Sequence, residues 1–486
     1  MDSASPTSHS PFQGHRYHFS GVGGSGMAPL AALSISLGAT VSGSDRNLDR
    51  GLALHVFDYL RRAGVELTPQ DGSAVTKSLS ALVHSSAVET SNPEFQRAIE
   101  LGLPRVRRGT FLAGIAAARR TIAVAGTSGK SSVTAMIAHI LTAAGRDPSF
   151  LGGGAAVRLD GAASFGSLRV GRGDWFVVET DESDGSVAEF APAIAVLSNL
   201  SRDHKEIDET ARNFEAMLGQ TRERIVVNAR DASLERVRLP AELPVLAVAA
   251  CAGETWMTPE LRAEGIRLHP DRVEFAVQST PVRVPFPGAM TVENALVAIG
   301  ASVAAGVSLA EACGALSTFG GVRRRLERIG TMHGVDVFDD FAHNPVKIAA
   351  ALEALRPSGW LWIYYQPHGY GPTRFFAPQL VETFRTGLRD GDRLVVAPIY
   401  DAGGTADRSI RSEDLVRSLR EAGVDASVSA TREEAAHVLT RGARSGDRIV
   451  VMGARDDTLP IFARALFADL VAREDHPAPS PERQPR

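Results

Sequence analysis

Residues 121–145 read TIAVAGTSGKSSVTAMIAHILTAAG, and this stretch decides the class of fold. Ile122–Ala125 predicts an apolar strand, Gly126–Gly129 a tight turn, and the Ala/Ile/Leu-rich segment from near Ser131 a helix. That is the setting a phosphate-binding loop needs. Glycines let backbone N–H groups approach phosphate oxygens, and the start of the helix adds partial positive charge. Within Gly126-Thr127-Ser128-Gly129-Lys130-Ser131-Ser132, Lys130 would reach terminal phosphates and the Ser131 hydroxyl would hold Mg²⁺. The GxxxxGK[ST] pattern fails only at its first glycine, where Val124 stands. The plainer alternative, a solvated lysine on a glycine turn, would need strand, glycines, lysine and two hydroxyls to fall into register by chance. The loop is therefore read as binding a nucleoside triphosphate.

Outward from this loop, strands and helices alternate in both directions, which implies parallel sheets covered by helices. At 486 residues the chain is too long for one core, and a domain size of ~150 residues suggests three. The expected division is 15–117, 118–322 and 323–473. Polar, Pro-rich tails at 1–14 and 474–486 read as disordered. Residues 240–286 are Pro-punctuated, with short alternating runs such as VEFAV and VRVPF, and read as a β-rich insertion or edge.

The bulk properties exclude several classes. A net charge of -4 offers no basic surface to nucleic acid or an anionic membrane. Two cysteines, Cys251 and Cys313, make neither a disulfide framework nor a CxxC pair. No N-terminal signal and no apolar run of the ~18 residues a span requires is present, so the expectation is cytoplasmic.

A phosphate loop does not name a reaction. Glu179 ends the strand beginning at Trp175 and opens ETDESDGS (179–186); a carboxylate there can hold the metal that bridges phosphates. Asn199-Leu-Ser-Arg-Asp-His204 ends the next strand, where His204, oriented by Asp203, could ligate a second divalent ion. Taken singly, each is more often a solvated loop or a surface pair. Their order behind the phosphate loop gives them weight.

Nearer the N-terminus, Gly21-Val-Gly-Gly-Ser-Gly-Met27 follows a strand, and Asp45 stands some twenty residues on. This looks like a dinucleotide fingerprint and raises an NAD-dependent dehydrogenase as a rival. The loop physics suits any diphosphate. A dehydrogenase has no use for the second, downstream phosphate loop, and that separates the two readings.

At these residues the chain resembles the Mur ligase family. GTSGKSS is similar to that family's GT(H/N)GK(T/S) loop, which also lacks the first Walker glycine. ETDESDGS and SNLSRDH resemble the EADESDAS and TNxxxDH segments of its muramate–alanine branch. GVGGSGM followed by GSD, the His84-Ser-Ser-Ala87 run and Asn92-Pro-Glu94 resemble the same branch. Further on, Arg324-Arg325, DDFAHNP (339–345) and QPHGYGPTR (366–374) are similar to RR, DDYAH(H/N)P and QPHRYTRTR, so the resemblance runs from about Tyr17 to Asp456.

The resemblance implies three α/β domains: a Rossmann-like UDP-binding domain, a central ATPase and a C-terminal Rossmann-like amino-acid domain. It implies ATP with Mg²⁺ or Mn²⁺, and ligation of L-alanine to UDP-N-acetylmuramate through an acyl phosphate in peptidoglycan precursor synthesis. Lys130, Glu179, His204 and His343 would be catalytic, with Ser131, Glu179 and His204 as metal ligands. Residues 126–132, Asn294, Arg325 and Asp340 would bind ATP. Gly21, Gly23, Gly24, Gly26, Met27, Asp45, Ser85 and Ser86 would hold the UDP substrate, and Asn344, His368 and Arg374 the amino acid or muramoyl group. The amine and the acyl phosphate would have to meet, so domain closure is expected.

Five positions leave the branch pattern: Ser128, Met290-Thr291, Asn344 and Gly369, the last replacing an arginine beside the amino-acid site. Two alternatives follow: a ligase that attaches a recycled tripeptide, and a divergent homologue with a binding role.

Overall fold

A computed structural model describes residues 12–52, 55–85, 88–157, 159, 166–201, 206–250, 253–401 and 407–472. Three sheets organise them. The first is parallel throughout, in the order Glu66–Leu67, Thr40–Ser44, Arg16–Ser20, Ala81–His84, Arg105–Arg107. The second has ten strands. Its parallel centre runs Val245–Ala250, Arg224–Asn228, Ile194–Leu197, Arg120–Ala125, Trp175–Glu179, Ser149–Leu151. One end is the antiparallel strand Leu168–Arg169; the other is Leu261–Leu268, Val273–Val277 and Thr280–Val284, within the segment expected to be β-rich. The third sheet runs Glu327–Met332, Val335–Asp340, Arg448–Gly453, Leu361–Gln366, Arg393–Val396, Ala426–Val428, and only its first pair is antiparallel. This is the α/β architecture expected from the alternation.

The strand compositions follow from burial. Ile194–Leu197 is buried at every position, as a central parallel strand covered on both faces must be. In the third sheet Val337, Tyr364 and Val451 pack in one core, while their neighbours Phe338, Ile363, Tyr365 and Val450 pack in another. Successive residues of a strand point to opposite faces, so one apolar run feeds two cores. Asn92-Pro93-Glu94 gains a local reason too. Asn92 caps the helix Pro93–Glu100 by accepting from the amide of Glu94, and Pro93 occupies the first turn, where its missing N–H costs nothing.

The chain divides into two compact units. The larger runs to Arg267 and adds Glu274–Pro285 and Thr291–Gly321; the smaller comprises Leu268–Val273, Phe286–Met290 and the chain from Val322 onward. In the larger unit the first two sheets share one continuous core, in which Phe19, Leu33, Phe111 and Ile115 pack with Phe176, Val187, Phe190 and Phe214. Among the described residues no helix is long and apolar enough to cross a membrane.

Candidate active site

In a parallel sheet the loops that follow the strands gather at one edge, which is where ligands bind in such folds. In the second sheet these are the loops after Ala125, Glu179 and Leu197. The helix Lys130–Ala143 starts one turn after the strand, so its first amides lack intrahelical acceptors and face the loop's mouth. Gly129 has φ +75°, a left-handed conformation, and a Cβ there would collide with Asn294 Oδ1. Gly126 has φ +154°, and a Cβ there would collide with Ser198 Oγ. Both glycines are thus required by space as well as by backbone, and Asn294 stands against the loop.

Asn199 shapes the loop. Its Oδ1 accepts from the amides of Thr127 (3.0 Å) and Ser128 (2.8 Å) and from Thr127 Oγ1 (2.9 Å), while its Nδ2 donates to the Ser128 carbonyl at 2.8 Å. Sequence reading quoted Asn199 within a motif without giving it a role. The signal was its place at the end of a strand adjacent to the phosphate-loop strand. Lys130 Nζ donates to the Gly126 carbonyl at 2.7 Å and pairs with Glu182 Oε2 at 2.7 Å. The carbonyl takes one of its three protons and the carboxylate balances its charge, so donor capacity remains for a ligand. Glu182, almost fully buried, is a second residue the sequence did not single out.

Glu179, at the end of the strand beside the loop, meets the start of the helix. Its Oε1 accepts from Ser131 Oγ at 3.1 Å and its Oε2 from the Gly153 amide at 2.6 Å. A hydroxyl and a carboxylate side by side are the hard oxygen donors that suit Mg²⁺. Among the described residues no three His, Cys, Asp or Glu side chains converge on one point. The expected ligand His204 and its partner Asp203 lie outside the described residues.

The first glycine loop is built differently. Gly21 (φ +76°) and Val22 both donate to the Ser44 carbonyl at 2.9 Å, tying the turn to the neighbouring strand. Gly23 donates to Asp45 Oδ2 at 2.9 Å, and Asp45 Oδ1 accepts from the Asn47 amide at 2.8 Å. A Cβ on Gly23 would stand 2.8 Å from Asp45 Oδ2. Gly24 accepts from Met27 and Ala28, which starts the helix Met27–Ser36; the Met27 side chain itself is buried in the core. Beneath the loop, a closed network joins His18 Nε2 to Glu94 Oε1 (2.8 Å) and Ser20 Oγ to Glu94 Oε2 (2.5 Å). The Ser85 carbonyl meets His84 Nδ1 at 3.1 Å, and Ser86 lies outside the described residues.

The smaller unit carries the remaining candidates. Asp340 accepts from the amides of Leu326 (2.6 Å) and Ala342 (2.7 Å), and burial holds its carboxyl above the usual carboxylate range. The Arg325 and Arg324 guanidinium groups lie 4.7 Å and 5.0 Å from the Phe341 ring centroid. His343 packs edge-on against Phe341 and lies 5.1 Å from His368 between ring centroids. Its Nδ1 lies 2.8 Å from the Phe341 carbonyl. Burial, reinforced by the charges of Lys347, His368 and Arg325, pulls the imidazole down to about 3. Near neutral pH it is uncharged, donating from Nδ1 and leaving Nε2 as an acceptor. Asn344 caps the helix Pro345–Ala354 through the Lys347 amide. Arg374 is engaged by the Asp407 carboxylate (3.0 Å) and Ser409 Oγ (2.8 Å). Thus His343 and His368 come together, whereas Arg374 is turned toward residues 407–409.

Asp339, the first carboxylate of DDFAHNP, is fully buried with no hydrogen bond to either oxygen. Arg324 Nε lies 3.5 Å away, and burial pushes the Asp339 carboxyl up to about 7.

Comparison with known proteins supplies the family context. Three family descriptions match in order: "Mur ligase family, catalytic domain" over residues 16–120, "Mur ligase middle domain" over 124–302, and "Mur ligase, glutamate ligase domain" over 324–455. The chain is 34% identical over 458 residues to a UDP-N-acetylmuramate–L-alanine ligase of Burkholderia mallei, covering 90% of this chain and 94% of that one. Among solved structures it is similar to the UDP-N-acetylmuramate–alanine ligase of Thermotoga maritima, with a TM-score of 0.75 at 23% identity, covering 94% of this chain and 99% of that one. A murein peptide ligase from Psychrobacter arcticus is also similar, with a TM-score of 0.66 at 25% identity and the same coverage of both chains.

Proposed function

The chain belongs to the Mur ligase family of ATP-dependent ligases, and on that premise we propose that it joins L-alanine to UDP-N-acetylmuramate. The observation that carries the acceptor is the 34% identity, over nine-tenths of the chain, to a ligase of that name. Residues 15–117 would hold the UDP moiety, 118–322 the ATP and 323–473 the amino acid.

In this reading the loop 126–132 and the first amides of its helix cradle the triphosphate. Lys130, already aimed by Gly126 and Glu182, offers its remaining donor capacity to charge that develops as the terminal phosphoryl group moves to the substrate carboxylate. Ser131, Glu179 and His204 would hold Mg²⁺, which when bound neutralises phosphate charge. ADP leaves an acyl phosphate, whose carbonyl carbon is attacked by the amine; a tetrahedral intermediate then expels phosphate. Neutral His343, through Nε2, and His368 would face the amine as hydrogen-bond partners, and Arg325 and Asp340 would contact nucleotide phosphate and ribose. Asn344 and Arg374 would line the acceptor side.

A second reading keeps the chemistry and changes the acceptor to a recycled peptide. The likeness to the murein peptide ligase and the missing side chain at Gly369 favour it. Phosphate release from ATP and UDP-N-acetylmuramate, screened across amino acids and the tripeptide L-alanyl-γ-D-glutamyl-meso-diaminopimelate, decides between them. Turnover is expected with L-alanine, and weaker turnover with glycine or L-serine, because a pocket discriminates a methylene by only ~1–3 kcal/mol. Turnover with the tripeptide and none with L-alanine would replace the first reading with the second.

A further inference from the structure

The glycine loop 21–26 and the acidic segment 179–186 both touch one side chain, Arg108, the first residue of the helix Arg108–Ala117. Its Nη2 donates to Asp181 Oδ2 at 2.8 Å, and Asp184 Oδ2 lies 3.9 Å away. On its other side the arginine lies against Gly26: a Cβ there would stand 3.2 Å from Cδ, 3.3 Å from Nη1 and 3.4 Å from Nε. Gly26 has φ -94°, which any residue adopts, so its backbone does not demand glycine; the room is filled by Arg108. Nε and Nη1 have no hydrogen-bond partner among the described residues, and the side chain remains 23% exposed.

A structural staple is the plain alternative, but that joint is made without the guanidinium. Gly109 packs so closely on Ser186 that a Cβ would collide with its side chain, and Thr110 Oγ1 donates to Glu189 Oε1 at 3.1 Å. Phe111, Leu112 and Ile115 share the core with Val187 and Phe190. Asp181 is itself held in place: its Oδ1 accepts from the Ser183 amide at 3.0 Å and from Ser183 Oγ at 2.6 Å. The arrangement is a guanidinium anchored at one edge by a fixed anion, with donors of its planar fork still open beside a diphosphate-type loop. Such a fork matches two anionic oxygens at once.

We propose that Arg108 is a substrate-binding residue that takes a pair of anionic oxygens of the sugar nucleotide, from its diphosphate or its carboxylate, with Asp181 as the anchor that aims it. This rests on the reading of loop 21–26 as the sugar-nucleotide site. The test is calorimetric binding to the full-length protein without ATP, using UDP-N-acetylmuramate and UDP-N-acetylglucosamine, which lacks the lactyl carboxylate. Arg108→Met should weaken UDP-N-acetylmuramate at least tenfold, and Arg108→Lys should recover only part, since an ammonium cannot fork. Equal loss for both nucleotides assigns the diphosphate; loss confined to the muramate assigns the carboxylate. Should Arg108→Met fail to melt cooperatively, Gly26→Ala displaces the guanidinium from the other side and should give the same loss. Binding of both nucleotides within twofold of wild type, whatever the melting temperature does, overturns the proposal. If the wild-type protein binds neither nucleotide, the sugar-nucleotide reading falls and takes this proposal with it.

Discussion

Loops 21–26 and 126–129 look alike as sequence: each follows a parallel strand, is rich in glycine, and opens a buried, apolar helix. Their side-chain surroundings differ in where the cation stands. In the first, the Asp45 carboxylate already occupies the amide of Gly23, and the nearby cation, Arg108, lies against Gly26 at the loop's far end. In the second, the uncharged amide of Asn199 takes the role of Asp45, and the cation, Lys130, belongs to the loop's own helix. An anion at the first loop must therefore be met from the Gly26 side, whereas one arriving at Gly129 meets an ammonium and open helix amides together. Glycine spacing reports the turn, and the neighbouring strand decides what the turn can bind.

Four substitutions, the second with a matched control in the first loop, test this contrast in order of expected effect. Lys130→Ala should lower the rate of ADP formation by ~10²–10³ in a protein that still folds, because the lysine acts on developing charge; the melting temperature falls as well, since buried Glu182 loses its partner. Activity within twofold of wild type would remove the distinction between the loops. Next, Gly129→Ala forces a left-handed alanine into Asn294 and should cost ~1–3 kcal/mol in urea unfolding, together with nucleotide binding. Its counterpart in the first loop, Gly24→Ala, meets only ordinary contacts at 3.5 Å and beyond and should stay within ~0.5 kcal/mol. A third change, Glu179→Gln, should shift the Mg²⁺ titration of activity to several-fold higher concentration at saturating ATP, since an amide is a poorer ligand for a hard cation. An unmoved titration would make Glu179 a loop brace for Ser131 and Gly153. The mildest is Asp45→Asn, which weakens the two amide contacts and should cost ~1–2 kcal/mol of stability with less than a tenfold change in turnover. If it abolished turnover as Lys130→Ala is expected to do, the two loops would be equals.

Much of the fold was legible because long central strands announce themselves. Trp175–Glu179, Ile194–Leu197, Leu361–Gln366 and Arg448–Gly453 are near-continuous apolar runs, and each lies inside its sheet with a strand on either side. Edge strands such as Glu66–Leu67, Leu168–Arg169 and Glu327–Met332 were not anticipated. They are too short or too polar to show a period, and their register comes from the neighbour they join. The shared core of the first two sheets was equally invisible, since apolar positions do not say which sheet they pack against. In the site, motif residues were legible and their partners were not. Glu182 and Arg108 have meaning only through Lys130 and Asp181, and tertiary pairing of that kind leaves no spacing in the chain.

The glycine at position 369 has a further consequence. Gly369 has φ +70° and ψ +128°, caps the helix Tyr370–Gly387, and donates its amide to the Tyr400 carbonyl. A Cβ there would press on Pro372 at 3.3 Å. Residue choice and backbone turn are therefore coupled at this position. An arginine placed here would meet a strained conformation before its side chain could reach any ligand. A side chain at 369 would need a second change that first relaxes the turn, so the position works as a latch that its own backbone holds shut.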